Sequence, residues 1–108
     1  MRTLLTLDTA RRDDGKLVLT AAGEIDLSNI ETFTQALTTA IAETAGSGGR
    51  LTVDLSAVEY LDSAAINALF IHAEHVQLIA NPLMMRVFEI SGLTELAAIE
   101  ATPPQAEH

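Results

Sequence analysis

Three side chains of this 108-residue chain have the types that a catalytic triad requires, namely Ser63, His72 and Asp54. A serine nucleophile needs its histidine base within about 3 Å. The spacing of apolar residues predicts that Ser63 and His72 lie on one helix, where the rise between them would be about 13 Å. The sequence also lacks the Gly-x-Ser-x-Gly elbow that exposes the nucleophile of many hydrolases. We therefore do not expect hydrolase chemistry.

The histidines invite a metal interpretation, because His72, Glu74 and His75 are close together in the sequence. Their spacing is not that of a His-Glu-x-x-His site, and the sequence shows no further ligand cluster. Two solvent-facing histidines at a helix end would complement the helix dipole. We expect that role for them, with no metal and no cofactor.

Ser63 is the side chain for which a specific chemistry can be argued. It follows Asp62 at the point where a strand-like pattern changes to a helical one. Either Asp62 or Ser63 could cap the helix, and position alone favours that interpretation. Alternatively, an exposed hydroxyl on a rigid elbow is a good phosphoacceptor. A phosphoryl group would add nearly two negative charges at a helix N-terminus and would repel any partner docked over the elbow.

The residues on either side of Ser63 predict the two elements that position it. Residues 51–56 alternate between apolar and polar, which is typical of a strand with a buried face. After Asp62 the apolar residues recur at helical intervals, so we expect an amphipathic helix as far as about residues 72–74. A short polar elbow therefore joins a buried strand to a helix.

The remaining sequence predicts a small α/β domain. The predicted elements are strands at 3–9 and 16–22, a helix from Ser28 with a capping box to Glu31, the strand from Leu51, the helix from Ser63, a strand at 76–80, a helix from Asn81-Pro82 to Gly92 and one further turn at 94–97. Because a strand–helix–strand crossover is right-handed, the second and third strands should be parallel. The pattern predicts a mixed sheet with helices packed on it.

The composition narrows the class of protein. Six basic against 15 acidic side chains give a formal net charge of −9. This charge argues against nucleic acid and against direct contact with an anionic membrane. No apolar run approaches the roughly 18 residues of a membrane span, and no signal-peptide pattern follows Met1, so we expect a cytoplasmic protein. The absence of cysteine excludes disulfides and thiol catalysis.

Four blocks of sequence, in this order, resemble the STAS domain and, more narrowly, the bacterial anti-sigma factor antagonists. They are Gly23–Asp26 (GEID), Leu51–Ser56 (LTVDLS), Tyr60–Ser63 (YLDS), and Asn81-Pro82 with Arg86–Leu93 (RVFEISGL). The resemblance implies a single STAS-like domain over residues 1–101 and a loose tail at 102–108. It implies an α/β fold, with a small mixed sheet of four to five strands packed with three to four helices.

The resemblance also implies a function. Antagonists of this kind bind a serine-kinase anti-sigma factor when unphosphorylated, and so regulate transcription by freeing the sigma factor. Phosphorylation of the serine after the elbow aspartate, here Ser63, releases them, and a phosphatase resets the switch. The implied partner-binding residues are Asp26, Leu27, Ser28, Asp62, Ser63, Ala64 and Ala65. We expect a non-enzymatic protein that is a monomer or weak homodimer.

The chain departs from the family pattern immediately after the acceptor. The family usually has Ser or Thr and then Gly, where this chain has Ala64-Ala65. The added methyl at Ala65 should stiffen the elbow and hinder close approach by a kinase. The second helix and its loop are also shorter than usual. These departures leave open an alternative, in which the domain is a constitutive docking subunit of a transporter or larger signalling assembly and is not controlled by phosphorylation.

Overall fold

The computed structural model describes residues 4–12, 15–45, 49–92 and 98–101, which form five strands, three α-helices and one 3₁₀ turn. In chain order these are β1 (Leu5–Arg11), β2 (Leu17–Ile25), α1 (Ile30–Ala45), β3 (Leu51–Leu61), α2 (Ser63–Ile71), the 3₁₀ turn (Ala73–His75), β4 (Val76–Ala80), α3 (Pro82–Ser91) and β5 (Ala98–Ala101). The prediction of a single small α/β domain is confirmed.

The five strands form one mixed sheet in the order β1-β2-β3-β4-β5. β1 is antiparallel to β2, and the other neighbours are parallel, which confirms the predicted pairing of the second and third strands. Strand order follows chain order, so successive right-handed crossovers place the helices on one face of the sheet. The carboxyl ends of the parallel strands therefore share one edge of the domain with the N-termini of the helices that follow them.

A hydrophobic core fills the space between the helices and the sheet. Leu19 and Ile25 of β2 are fully buried, whereas Thr20 is exposed on the opposite face. The helices contribute the fully buried aromatic residues Phe33 and Phe88. The alternation along β2 thus separates a core face from a solvent face, as the period of a strand requires.

β3 extends beyond β4 towards the elbow. β4 pairs only with Leu51–Asp54, while β2 pairs with β3 as far as Leu61. The register between β2 and β3 shifts twice, so Val18–Ile25, eight residues, lies opposite Thr52–Leu61, ten residues. β3 therefore carries two extra residues, which are β-bulges in its second half.

The bulges change which side chains of β3 face the core. Leu55, Val58 and Leu61 are buried at intervals of three instead of two. Glu59 and Tyr60 are consequently both exposed, although they are adjacent in the chain. The strand arrives at the elbow with its last buried residue directly before Asp62.

The predicted elements agree with the structure in place and type, with differences at their ends. α2 ends at Ile71 and is followed by the 3₁₀ turn, and β5 had no predicted counterpart. α3 has the predicted limits, with Asn81 as N-cap and Gly92 as a left-handed C-cap at φ 87°. The predicted turn at 94–97 and the tail at 102–108 lie outside the described residues, so the boundary after residue 101 stays a prediction.

None of the helices in the described ranges is long and apolar enough to cross a membrane.

Candidate functional site

The ends of β2 and β3 bring the two predicted halves of the site together. Ile25 pairs with Leu61 in the parallel register, and the Asp62 N–H donates to the Ile25 carbonyl at 3.1 Å. Asp26 therefore leaves β2 beside the point where Asp62 leaves β3. Two loops that are distant in sequence lie next to each other at the carboxyl edge of the sheet.

Asp62 is the N-cap of α2. Its backbone is extended (φ −93°, ψ −178°), its carboxylate accepts from the Ala65 N–H at 3.0 Å, and its carbonyl accepts from the Ile66 N–H at 3.1 Å. The sequence left either Asp62 or Ser63 as the cap, and the structure assigns that role to Asp62. Ser63 is the first residue inside the helix.

The Ser63 side chain is consequently free to react. The residue is exposed, and its hydroxyl makes no hydrogen bond to any other residue in the described ranges. The hydroxyl lies in the first turn of α2, where N–H groups without intrahelical partners carry partial positive charge. Ser63 is therefore an exposed serine at the N-terminus of a helix.

The turn after β2 is held by hydrogen bonds around Asp26. The Asp26 carboxylate accepts from the N–H and the hydroxyl of Ser28, at 2.9 and 2.5 Å. Asn29 accepts from the Asp26 N–H at 3.0 Å and donates from its amide to the Glu24 carbonyl at 2.9 Å. These contacts fix the turn between the end of β2 and the start of α1.

This arrangement corrects one prediction. Ser28 does not cap α1, because its hydroxyl is turned towards Asp26 and the helix begins only at Ile30. Asn29 is the residue directly before the helix, and its carbonyl accepts from the Phe33 N–H at 3.1 Å. The predicted capping box from Ser28 to Glu31 is therefore wrong.

The two alanines after Ser63 have different environments. Ala64 is half-buried, whereas Ala65 is fully buried in the hydrophobic core. The prediction that Ala65 lies on a partner surface is therefore wrong, since its methyl group faces the core. For the same reason this methyl does not stand in the path of a visiting kinase. Leu27, by contrast, is 77% exposed beside the elbow.

The triad and metal interpretations of the sequence do not match the structure. Ser63 and His72 lie at opposite ends of α2, which separates them by about 13 Å. Asp54 is paired between Thr20 of β2 and Ile79 of β4, and its carboxylate accepts from Ser56. Among the residues that the structure describes, no group of three or more His, Asp or Glu side chains could hold a metal ion.

Two features of this edge were not found from the sequence. Asn81 caps α3 by accepting from the Met84 N–H at 2.8 Å, and its amide also donates to the carbonyls of Ser56 and Val58 at 3.0 Å each. The Asn-Pro pair indicates the cap, but nothing local indicates a contact with β3. The exposure of both Glu59 and Tyr60, adjacent residues of one strand, was also missed, because it depends on the bulges.

The fold and the site define a class of protein: a small α/β domain with a free serine hydroxyl beside an acidic turn at the carboxyl edge of its sheet. A family model described as "Mlab, STAS domain" matches residues 9–99. The chain belongs to the STAS domain family. A comparison with curated proteins finds no match.

Solved structures agree with this assignment. An anti-sigma factor antagonist from Mycobacterium paratuberculosis is 26% identical with a TM-score of 0.80, over 92% of this chain and 87% of that one. The unphosphorylated anti-sigma factor antagonist SpoIIAA is 16% identical with a TM-score of 0.67, over 93% and 90%. Bacillus SpoIIAA in its phosphorylated form is 18% identical with a TM-score of 0.63, over 93% and 94%. The two SpoIIAA structures show the fold alone.

Proposed function

We propose that this protein is a cytoplasmic anti-sigma factor antagonist that binds a serine-kinase anti-sigma factor while Ser63 is unphosphorylated. Binding would free the sigma factor and so regulate transcription. Phosphorylation of Ser63 would release the antagonist, and a phosphatase would restore it. The domain has no enzymatic activity of its own in this proposal.

The position of the Ser63 hydroxyl is the observation that carries the proposal. It is exposed at the first position of α2, and Asp62 satisfies the helix cap in its place. The similar anti-sigma factor antagonist from Mycobacterium paratuberculosis supports the class of function.

The expected effect of phosphorylation follows from its charge. A phosphoryl group carries about −1.5 to −2 charges at pH 7, and the N-terminus of α2 favours such a group. Asp62 beside it opposes the added charge. We therefore expect little change in the fold of the domain and a large change in the docking of a partner. A loss of about 3 kcal/mol would weaken binding by roughly a hundredfold.

Calorimetry with purified serine-kinase anti-sigma factors encoded in the same genome tests this proposal. Ser63→Ala should bind as the unmodified protein does, and Ser63→Asp should bind at least about tenfold more weakly. Asp8→Asn, which removes an exposed charge on β1, is a control and should not change the affinity. Equal affinity of the two Ser63 variants would remove the switch from the proposal.

The second candidate is a STAS subunit that docks constitutively in a transporter or larger signalling assembly. This candidate rests on the departure at Ala64-Ala65, where the family usually has Ser or Thr and then Gly, although the buried methyl of Ala65 does not itself obstruct a kinase. The same edge would then be a permanent interface. Purified transporter components that bind Ser63→Ala and Ser63→Asp equally, together with no binding to any anti-sigma factor, would favour this candidate.

A further inference from the structure

Tyr60 is a large aromatic side chain that the fold keeps out of the core. It is 49% exposed, whereas Phe33 and Phe88 are fully buried and Phe70 is partly buried against the core. Tyr60 pairs with Glu24 next to the second bulge of β3, which inserts Glu59 between the pairs Gly23–Val58 and Glu24–Tyr60. Bulges are commonly found where a side chain is redirected for function.

Tyr60 lies close to the proposed switch. Ser63 is three positions further along the chain, so the Cα atoms of the two residues are at most about 11 Å apart. Tyr60 pairs with Glu24 on β2, and neighbouring strands are about 4.8 Å apart. The backbone of Tyr60 is therefore close to the strand ends from which the Asp26 turn and the elbow begin.

A cleft of about 500 Å³ lies on the other side of β3. It is lined by Ser56–Glu59 of β3 and by Asn81–Leu83 at the start of α3, and Leu83 is 61% exposed on its rim. Because the Asn81 amide already binds the carbonyls of Ser56 and Val58, this edge is not open to an added strand. The cleft is suited to receive side chains of a partner.

The carboxyl edge of the sheet is acidic. Glu24 and Glu59 are exposed there and Asp26 and Asp62 are half-buried, whereas Glu43 and Glu74 are exposed towards the opposite edge. Of the five Lys and Arg residues in the described ranges, all except Arg86 lie towards the opposite edge, and these are Arg11, Arg12, Lys16 and Arg50. A protein docked at the carboxyl edge would meet negative charge around apolar side chains.

We infer that Tyr60 is the aromatic anchor of the docking surface and that the partner region covering it is cationic with an apolar centre. This inference rests on the proposed function, because it adds residues to the surface that contains Ser63. Tyrosine is enriched among the residues that dominate binding energy, and surrounding charges determine specificity and association rate. Here the charges next to Tyr60 are those of the exposed residues Glu24 and Glu59.

The test uses the full chain and the same purified anti-sigma factors. Tyr60→Ala and Glu59→Lys should each weaken binding by about tenfold or more, and Tyr60→Phe should retain most of the affinity. Added salt should weaken binding by the unmodified chain more steeply than binding by Glu59→Gln. Ile90→Ala and Glu89→Lys, in the last turn of α3 about 10–12 Å from its start, are matched controls and should have no effect.

The outcomes separate this inference from the proposed function. If Ser63→Asp weakens binding and Tyr60→Ala does not, the inference is wrong and the switch stands. If no anti-sigma factor binds the unmodified chain, both are wrong. Self-association that is lost in Tyr60→Ala would assign the surface to a second copy of the chain and would also overturn the inference. Circular dichroism of each variant establishes that a loss of affinity does not come from unfolding.

Discussion

The Asp62 carboxylate caps α2, so the Ser63 hydroxyl does not have to. Replacing Asp62 therefore tests how much this cap stabilises the helix. In Asp62→Ala the Ala65 N–H loses its 3.0 Å hydrogen bond to a carboxylate at a half-buried helix end. Loss of an N-cap of this kind costs about 0.5–2 kcal/mol. For a domain of this size each 1 kcal/mol lowers the melting temperature by about 4 °C or more. We expect a destabilisation of about 1–2 kcal/mol in urea unfolding.

Two further variants separate the cap from the charge. Asp62→Asn keeps an oxygen acceptor at the same place, so it should lose no more than about 0.5 kcal/mol. Glu59→Ala, an exposed acid three residues earlier, should change stability by about 0.5 kcal/mol or less. The capping argument would be refuted if Asp62→Ala were as stable as the unmodified protein, or if Asp62→Asn lost as much stability as Asp62→Ala.

Three other predictions use different parts of the same edge. Gly23 has φ +107°, a conformation that side chains disfavour, and a Cβ added there would clash with the Leu4 carbonyl oxygen. Gly23→Ala should therefore destabilise the protein by more than about 2 kcal/mol in urea unfolding. Gly15→Ala, where a Cβ meets nothing within 4 Å, should lose only about 1 kcal/mol, and equal losses would contradict the steric reason. Asn81→Asp keeps the acceptor that caps α3 but loses the amide that donates to two β3 carbonyls, so it should destabilise the protein by about 1–3 kcal/mol. An unchanged midpoint of urea unfolding would show that these two hydrogen bonds contribute little. Asp26→Ala should weaken partner binding in calorimetry, and because the two bonds it loses to Ser28 are exposed, it should lower stability by no more than about 1 kcal/mol; a larger loss would instead make Asp26 a structural residue.

The sequence predicted most of the fold because local patterns and connection rules agree. The alternation in β2 and in the first half of β3, the Asn-Pro cap of α3 and the handedness of crossovers each depend on neighbouring residues or on general geometry. The second half of β3 was not predicted, since its bulges replace the period of two by intervals of three. That irregularity buries Val58 and leaves Glu59 and Tyr60, which are adjacent in the chain, both exposed.

The sequence anticipated that Asp26 and Ser63 lie at one edge of the sheet, but not the environments of Ser28 and Ala65. Ser63 and Asp26 meet at one edge because β2 and β3 are parallel neighbours, which the crossover rule anticipated. The environment of Ser28 was mistaken, because a serine can bond to a nearby carboxylate instead of to the helix. The role of Ala65 was mistaken because the sequence does not show which side of the first turn of α2 faces the core.

The most direct test of the proposed switch is intact-mass analysis of the chain after incubation with ATP and each serine-kinase anti-sigma factor of the same genome. The exposed, unbonded hydroxyl of Ser63 predicts the addition of a single phosphoryl group by one of these kinases and no addition to Ser63→Ala. Unchanged mass with every kinase, or equal modification of Ser63→Ala, would contradict the assignment of Ser63 as the phosphoacceptor.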